Sequence, residues 1–180
     1  MIAYKAFDLG LICRDYQFVM GLNVTEKANC YKNGFHCAEN PLDCLSYYPD
    51  MDNSEYYIVD ARGDVHEDGS DSKISCTELN ILKKLTREDF FLHCLAYMAD
   101  HPLLKCSHHV ERDRAKASRG YAVVRGYDPI AQGSVGDILA FAKEDPATRK
   151  VIQIAISQVD GDKVLPDIWY GADLTERQAG

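Results

Sequence analysis

Two places in the chain gather thiol and imidazole groups closely enough to suggest metal chemistry. Cys30, His36, Cys37 and Cys44 lie near one another, and His108-His109 follows Cys106. Thiolate with imidazole is a donor set for tetrahedral zinc. The spacing fits no zinc knuckle or ribbon, however, and adjacent His36 and Cys37 point to opposite sides of an extended chain. Packing and turn roles account for these residues better, so no metal site is expected. Two of Glu39, Asp43 and Asp60 could be posed as a carboxylate pair for hydrolysis, but capping and solvation explain them. Ser134 lies outside any nucleophile elbow, and Gly133-Ser134-Val135-Gly136 is too short for a phosphate loop. No catalytic residue and no cofactor is assigned.

Charge carries more information. The net charge is −8, and residues 1–102 hold 17 acids against 9 bases while residues 103–180 hold 11 of each. Eight of the acids fall between Asp50 and Asp71, with Arg62 the one base among them. Such a field repels nucleic acid and attracts basic surfaces. Asp50, Asp52, Glu55, Asp64, Glu67, Asp68 and Asp71 are therefore the expected partner-binding face. Their carboxylates would stand in for phosphates against the arginines of a basic groove. A structural reading competes, in which these acids mark turns and protect strand edges from pairing. The opposite sign gathers at Lys105, Arg112, Arg114, Lys116, Arg119 and Arg125, the one nucleic-acid-like patch. Phosphate contact there would be strongly salt-dependent. A solvated loop that offsets the acidic half is the blander reading of the same residues.

The elements that must position these side chains are short. Ile2–Phe7 alternates like a strand and ends at Asp8-Leu9-Gly10; a second strand is expected over Tyr16–Met20. Asn33-Gly34 is a turn. Asn40 before Pro41 reads as an N-cap with proline at the first helical position, opening a short helix that buries Leu42, Leu45 and Tyr48. Glu55–Ala61, Asp64–His66 and Ile74–Ile81 read as an antiparallel meander with a polar loop at 67–72. Thr86 three residues before Asp89 opens the clearest helix, with Phe90, Phe91, Cys94, Leu95 and Met98 at helical spacing and His101-Pro102 as its stop. Beyond Lys105, glycines punctuate short apolar stretches, the mark of tight-turning β structure and of a partial β-solenoid. Asp137–Ala142, Val151–Ile156 and Ile168–Tyr170 read as strands, Asp160-Gly161 as a hairpin turn, and Thr175–Gly180 as a frayed tail. The fold class expected is α+β: an antiparallel β meander with a few helices and a β-rich, tight-turning C-terminal part.

A chain of 180 residues, 46% hydrophobic and 27% charged, has the balance of a folded protein able to bury a core. It divides on these grounds into an acidic α/β lobe at 1–102 and a β-rich lobe at 103–180, or forms one continuous domain. The seven cysteines are scattered, odd in number and never spaced Cys-x-x-Cys, the pattern of reduced thiols. With no apolar run near the ~20 residues of a membrane span and no signal peptide, a cytoplasmic location without membrane contact is expected.

The run Asn33-Gly34-Phe35-His36-Cys37-Ala38-Glu39-Asn40-Pro41-Leu42-Asp43, followed by Tyr47-Tyr48, resembles an uncharacterised domain family common in phages and prophages. Tyr4-Lys5-Ala6-Phe7 and Cys13–Phe18 precede it; Gly133–Ala140, Val159-Asp160-Gly161 and Trp169-Tyr170 resemble the same family's C-terminal part. Ala6 stands where that family would place a glycine. The resemblance implies a phage accessory protein, and small acidic proteins of that kind resemble inhibitors of bacterial immunity, anti-CRISPR proteins among them. The function expected is stoichiometric binding to a host defence protein such as a Cas9-type effector with its guide RNA, blocking nucleic-acid binding or cleavage. Direct nucleic-acid binding and self-association are secondary expectations. The alternative is an enzyme: Gly34-Phe35-His36, a short helix, then Tyr47-Tyr48 and a strand resemble ADP-ribosyltransferase folds. That resemblance implies NAD as co-substrate and Glu78 as catalytic acid, although the chain lacks an arginine in the first strand and a Gln/Glu-x-Glu motif.

Overall fold

A computed structural model describes residues 1–28, 33–67 and 72–178. Its backbone is mostly antiparallel strand with few helices. The chain divides into two units, Met1–Thr86 and Arg87–Gly180.

The first unit holds β1 (Ile2–Asp8), β2 (Ile12–Cys13), β3 (Tyr16–Gln17), β4 (Gly21–Val24), β5 (Phe35–Ala38), a 3-10 helix (Pro41–Ser46), β6 (Ser54–Glu67) and β7 (Lys73–Leu85). β6 pairs antiparallel with β1, placing Ala3 opposite Val59, and with β7, placing Ala61 opposite Leu79. β7 also pairs with β5, and β5 meets β1 where Ala38 faces Tyr4. These four strands therefore close into a ring. Strand alternation sends Ala3, Phe7, Phe35, Val59, Ala61, Ile74, Cys76, Leu79 and Ile81 into one cluster, joined by Phe18. Phe7 and Phe18 meet edge-on at 5.1 Å, the arrangement ring quadrupoles prefer.

The expected cap at Asn40 is present. Its Oδ1 accepts from the Leu42 N–H at 3.1 Å and Pro41 follows it, and the helix buries Leu42, Cys44 and Leu45. The strands expected separately at Glu55–Ala61 and Asp64–His66 are one strand, β6. Between them the register shifts in a bulge, not a turn. Gly63 adopts φ +73 there, and a Cβ on it would collide with the Thr77 hydroxyl, which instead accepts from the Asp64 N–H at 2.9 Å. Most of the expected polar loop at 67–72 lies outside the described residues. The strand expected over Tyr16–Met20 is instead β3, and β4 follows separately.

The second unit holds α1 (Arg87–Asp100), β8 (Glu111–Lys116), β9 (Tyr121–Gln132), β10 (Ile138–Glu144), β11 (Val151–Gln158), β12 (Trp169–Gly171) and β13 (Glu176–Arg177). The helix buries Phe90, Phe91, Cys94, Leu95 and Met98, the stripe its spacing predicts. It packs on β10 and β11 and so belongs to the second unit. β8, β9 and β10 pair in parallel although only short loops join them. Parallel neighbours ordinarily need a long crossover. Here β9 bends, its register slipping past Asp113, so that the chain winds as a solenoid coil does. One face of this sheet carries Ala122, Val124, Leu139, Phe141 and Ala155 into a core with Val159, Val164 and Tyr170. The other carries Tyr121, Ile138 and Ala140 toward α1, whose Phe91 ring lies 5.0 Å from that of Tyr121. The tail expected to fray includes β13, which pairs with β12 while Asp173 holds Arg177 at 2.9 Å.

Among the described residues no helix is long and apolar enough to cross a membrane.

Candidate anion-binding cleft

Alternation along β10 puts Ile138, Ala140, Ala142 and Glu144 on one face, so a carboxylate ends an otherwise apolar row. The parallel neighbour β9 brings Arg125 to the same place. Arg125 is 3% exposed and Glu144 1%. Arg125 Nε donates to Glu144 Oε1 at 2.5 Å, and Arg112 of β8 donates to Oε2 at 2.8 Å. Burial alone would push the Glu144 carboxyl up, but the two guanidiniums hold it below its ordinary value. The remaining donors of Arg125 reach the Pro102 carbonyl at 2.8 Å, the Arg149 carbonyl at 3.2 Å and Cys106 Sγ at 3.7 Å. One buried ion pair thus ties the strand ends to the loop after α1 and to the β10–β11 turn.

Beside this pair a cleft of about 410 Å³ opens, lined by Pro102 to Cys106 together with Arg112, Arg125, Glu144 and Arg149. Four cations line it against one carboxylate, and both oxygens of that carboxylate are already taken by guanidiniums. The surplus is positive. A low-dielectric wall strengthens such a surplus, and guanidiniums suit the bidentate geometry of phosphate.

Of the six bases expected to form a patch, the structure brings Lys105, Arg112 and Arg125 together here. The other three lie elsewhere. Arg114 stacks its guanidinium 4.7 Å over the Trp169 ring, Lys116 is exposed at the end of β8, and Arg119 sits in the turn before β9 at φ +57. Arg149 escaped sequence reading because it lies in a turn at φ +58; the signal for the site was Glu144 falling in phase with an apolar face. His109 shares a hydrogen bond between its Nδ1 and the Tyr121 hydroxyl at 2.9 Å. Its burial, with His108 and Arg119 nearby, pulls its pKa down to about 4.

The acidic residues divide as well. Glu55 is bound by Lys84 and by the Gly10 and Leu11 N–H groups; burial raises its pKa, but these contacts bring it below the ordinary value. Asp50 caps the turn that follows it through the Asp52 N–H and the Asn53 amide, and Asp52 is exposed. Asp64 and Glu67 are exposed on the outer half of β6, and Asp68 and Asp71 lie outside the described residues. Asp60 is held by the Met1 amino group and Arg62.

Other candidates resolve into structural contacts. Asp43 accepts from the Ser72 hydroxyl at 2.6 Å. Ser134 donates its N–H to Asp137. His36 and Cys37 take opposite faces of β5, Cys44 is buried in the 3-10 helix, and Cys30 lies outside the described residues. Among the described residues no three His, Cys, Asp or Glu side chains converge as metal ligands. Tyr47 is exposed with the Lys73 amine 5.7 Å above its ring, whereas the Tyr48 hydroxyl turns to Cys13. Glu78 lies on β7 opposite Val24 and Arg62.

Comparison with curated proteins and with solved structures finds no match to the chain. The family model for a domain of unknown function, DUF7666, matches residues 1–93, which take in the whole first unit and the first turns of α1. On that match, which covers just over half of the 180 residues, the chain belongs to the DUF7666 family.

Proposed function

We propose that this chain is a binding protein whose second unit takes up a phosphate-bearing ligand in the cleft beside Arg125 and Glu144. The observation that supports it is the charge imbalance: Lys105, Arg112, Arg125 and Arg149 line a cavity whose one carboxylate, Glu144, is already shared by two guanidiniums. The exposed Leu103 and Leu104 at the same rim give a ligand an apolar surface beside its phosphate. Titration of the intact protein with inorganic phosphate, a mononucleotide and a single-stranded oligonucleotide tests this at low salt. Saturable binding that weakens with salt, and that Lys105→Ala with Arg149→Ala reduces, supports the reading. No binding of any of the three at low salt overturns it.

The second reading is the phage-encoded inhibitor, working in the cytoplasm of a bacterial host by stoichiometric binding to a Cas9-type effector. One observation favours it: Asp64 and Glu67 stand exposed on β6 and make no ion pair among the described residues. The test is a cleavage assay at increasing molar ratios of this protein to effector. Inhibition that is complete near parity and lost in Asp64→Asn/Glu67→Gln supports it; full cleavage at large excess ends it. An ADP-ribosyltransferase would instead act far below parity and require NAD.

A further inference from the structure

Lys5 follows the alternation of β1 into the interior with Ala3 and Phe7, and only 5% of it is exposed. A lysine so placed normally has a carboxylate partner. Lys5 forms no ion pair among the described residues. Its Nζ donates to the His36 carbonyl at 2.8 Å and lies 5.0 Å and 5.2 Å from the ring centres of Phe7 and Phe18. Its remaining partner is a sulfur: Cys13 Sγ, at 3.7 Å. The Tyr48 hydroxyl donates to that same sulfur at 3.1 Å. Burial and this contact raise the Tyr48 pKa, so the phenol keeps its proton and remains a donor.

Two donors converge on this one sulfur, and thiolate is the form of cysteine that reacts with peroxides. Access separates Cys13 from most of the other thiols: Cys37, Cys44, Cys76 and Cys94 are buried, whereas Cys13 and Cys106 are partly exposed. Cys106 has the Arg125 guanidinium 3.7 Å away, a group that stays protonated and cannot act as a nucleophile. Beside Cys13, by contrast, an amine stands within hydrogen-bonding reach.

We propose that Cys13 is a peroxide-reactive thiol and that Lys5 captures its oxidised form as a reversible sulfur–nitrogen link. The Cys13 thiolate attacks one oxygen of hydrogen peroxide; the S–O bond forms, the O–O bond breaks, sulfur is oxidised and peroxide is reduced. The departing hydroxide takes a proton from the Lys5 ammonium and leaves as water. The neutral amine then attacks the sulfenic sulfur. An S–N bond forms, the S–O bond breaks, and hydroxide leaves with an amine proton as a second water. The product has two hydrogens fewer than the reduced protein, and a thiol reductant returns both side chains.

Trypsin provides the test on the full chain. Once the reduced protein is denatured, it should cleave after Lys5 and Arg14. After brief peroxide treatment the expected product is a single 1–14 peptide, uncut at Lys5 and short by two hydrogens, that dithiothreitol followed by fresh trypsin converts to two peptides. Lys5→Arg keeps the positive charge but lacks the nucleophile, so its oxidised Cys13 should accumulate as a sulfenic acid that dimedone labels. Tyr48→Phe should slow oxidation of Cys13 several-fold relative to Cys106. Dimedone labelling of Cys13 in the parent with normal cleavage after Lys5 rules out capture. Oxidation at Cys106 with Cys13 untouched rules out the reactive site altogether.

Discussion

Arg125 and Glu144 stand on adjacent parallel strands with Nε and Oε1 2.5 Å apart, and both side chains are almost wholly buried. Two full charges in such a place hold each other there. Glu144→Gln leaves the Arg125 guanidinium buried without its counter-charge, and the expected loss is about 3–5 kcal/mol of unfolding free energy. Arg112, whose side chain is 42% exposed, contributes through a partly screened contact, so Arg112→Ala should cost no more than about 1 kcal/mol. Urea unfolding of the two variants separates them.

Acid should weaken the second unit in two stages. His109 has its pKa lowered from 6.5 to about 4, so the folded form stays neutral where the unfolded chain takes up a proton. The unfolded state then binds more protons, and the stability His109 supplies above pH 6.5 is lost as pH falls toward 4. Glu144 acts lower: its contribution is complete above the ordinary 4.5 and is lost as pH falls through its depressed folded value. Thermal midpoints recorded across this range should fall in both stages, and His109→Gln should flatten the upper one alone.

The 3-10 helix rests on one cap. Asn40→Ala removes the acceptor for the Leu42 N–H and should cost about 1 kcal/mol, while Asn40→Asp keeps the oxygen and should cost much less. Chemical denaturation is sufficient to resolve the pair.

The bend in β9 has no room for a side chain at residue 126, because a Cβ on Gly126 would run into the Asp113 carboxylate. Gly126→Ala should destabilise by about 1–3 kcal/mol. Asp113 itself adopts φ +61, where glycine is at ease. Asp113→Gly should therefore rescue Gly126→Ala in a double-mutant cycle, with a coupling energy of opposite sign to the single loss.

Periodicity made the local elements legible. The stripe on α1, the Asn40-Pro41 start and the strands after Asp137 and Val151 all follow from side-chain spacing, which responds to local burial. What spacing cannot report is which strands meet. Nothing in Ile2–Asp8 says that its partner lies past Ser54, and nothing near Arg112 announces a carboxylate in residue 144. Thus the acidic run looked like one surface, whereas Lys84 and the β1–β2 turn claim Glu55 and the turn at Asp50 uses its own acid. The basic cluster likewise split, because the bulge opposite Asp113 sends Arg112 and Arg114 to different neighbours. Lys5 and Glu144 did leave a trace. Each is a charge in step with the apolar side of its strand, a pattern that outranks charge runs as a guide to a site.

Ring closure in the first unit also bears on how the protein is born. β1 leaves the ribosome well before its long partner β6, which begins at Ser54, and the ring cannot shut until β7 has followed. Until then the first strand has bare backbone donors and acceptors and a half-built interior, the condition in which nascent chains adhere to one another. Slow translation or scarce chaperones should therefore reduce the yield of this protein more than they reduce its stability once complete.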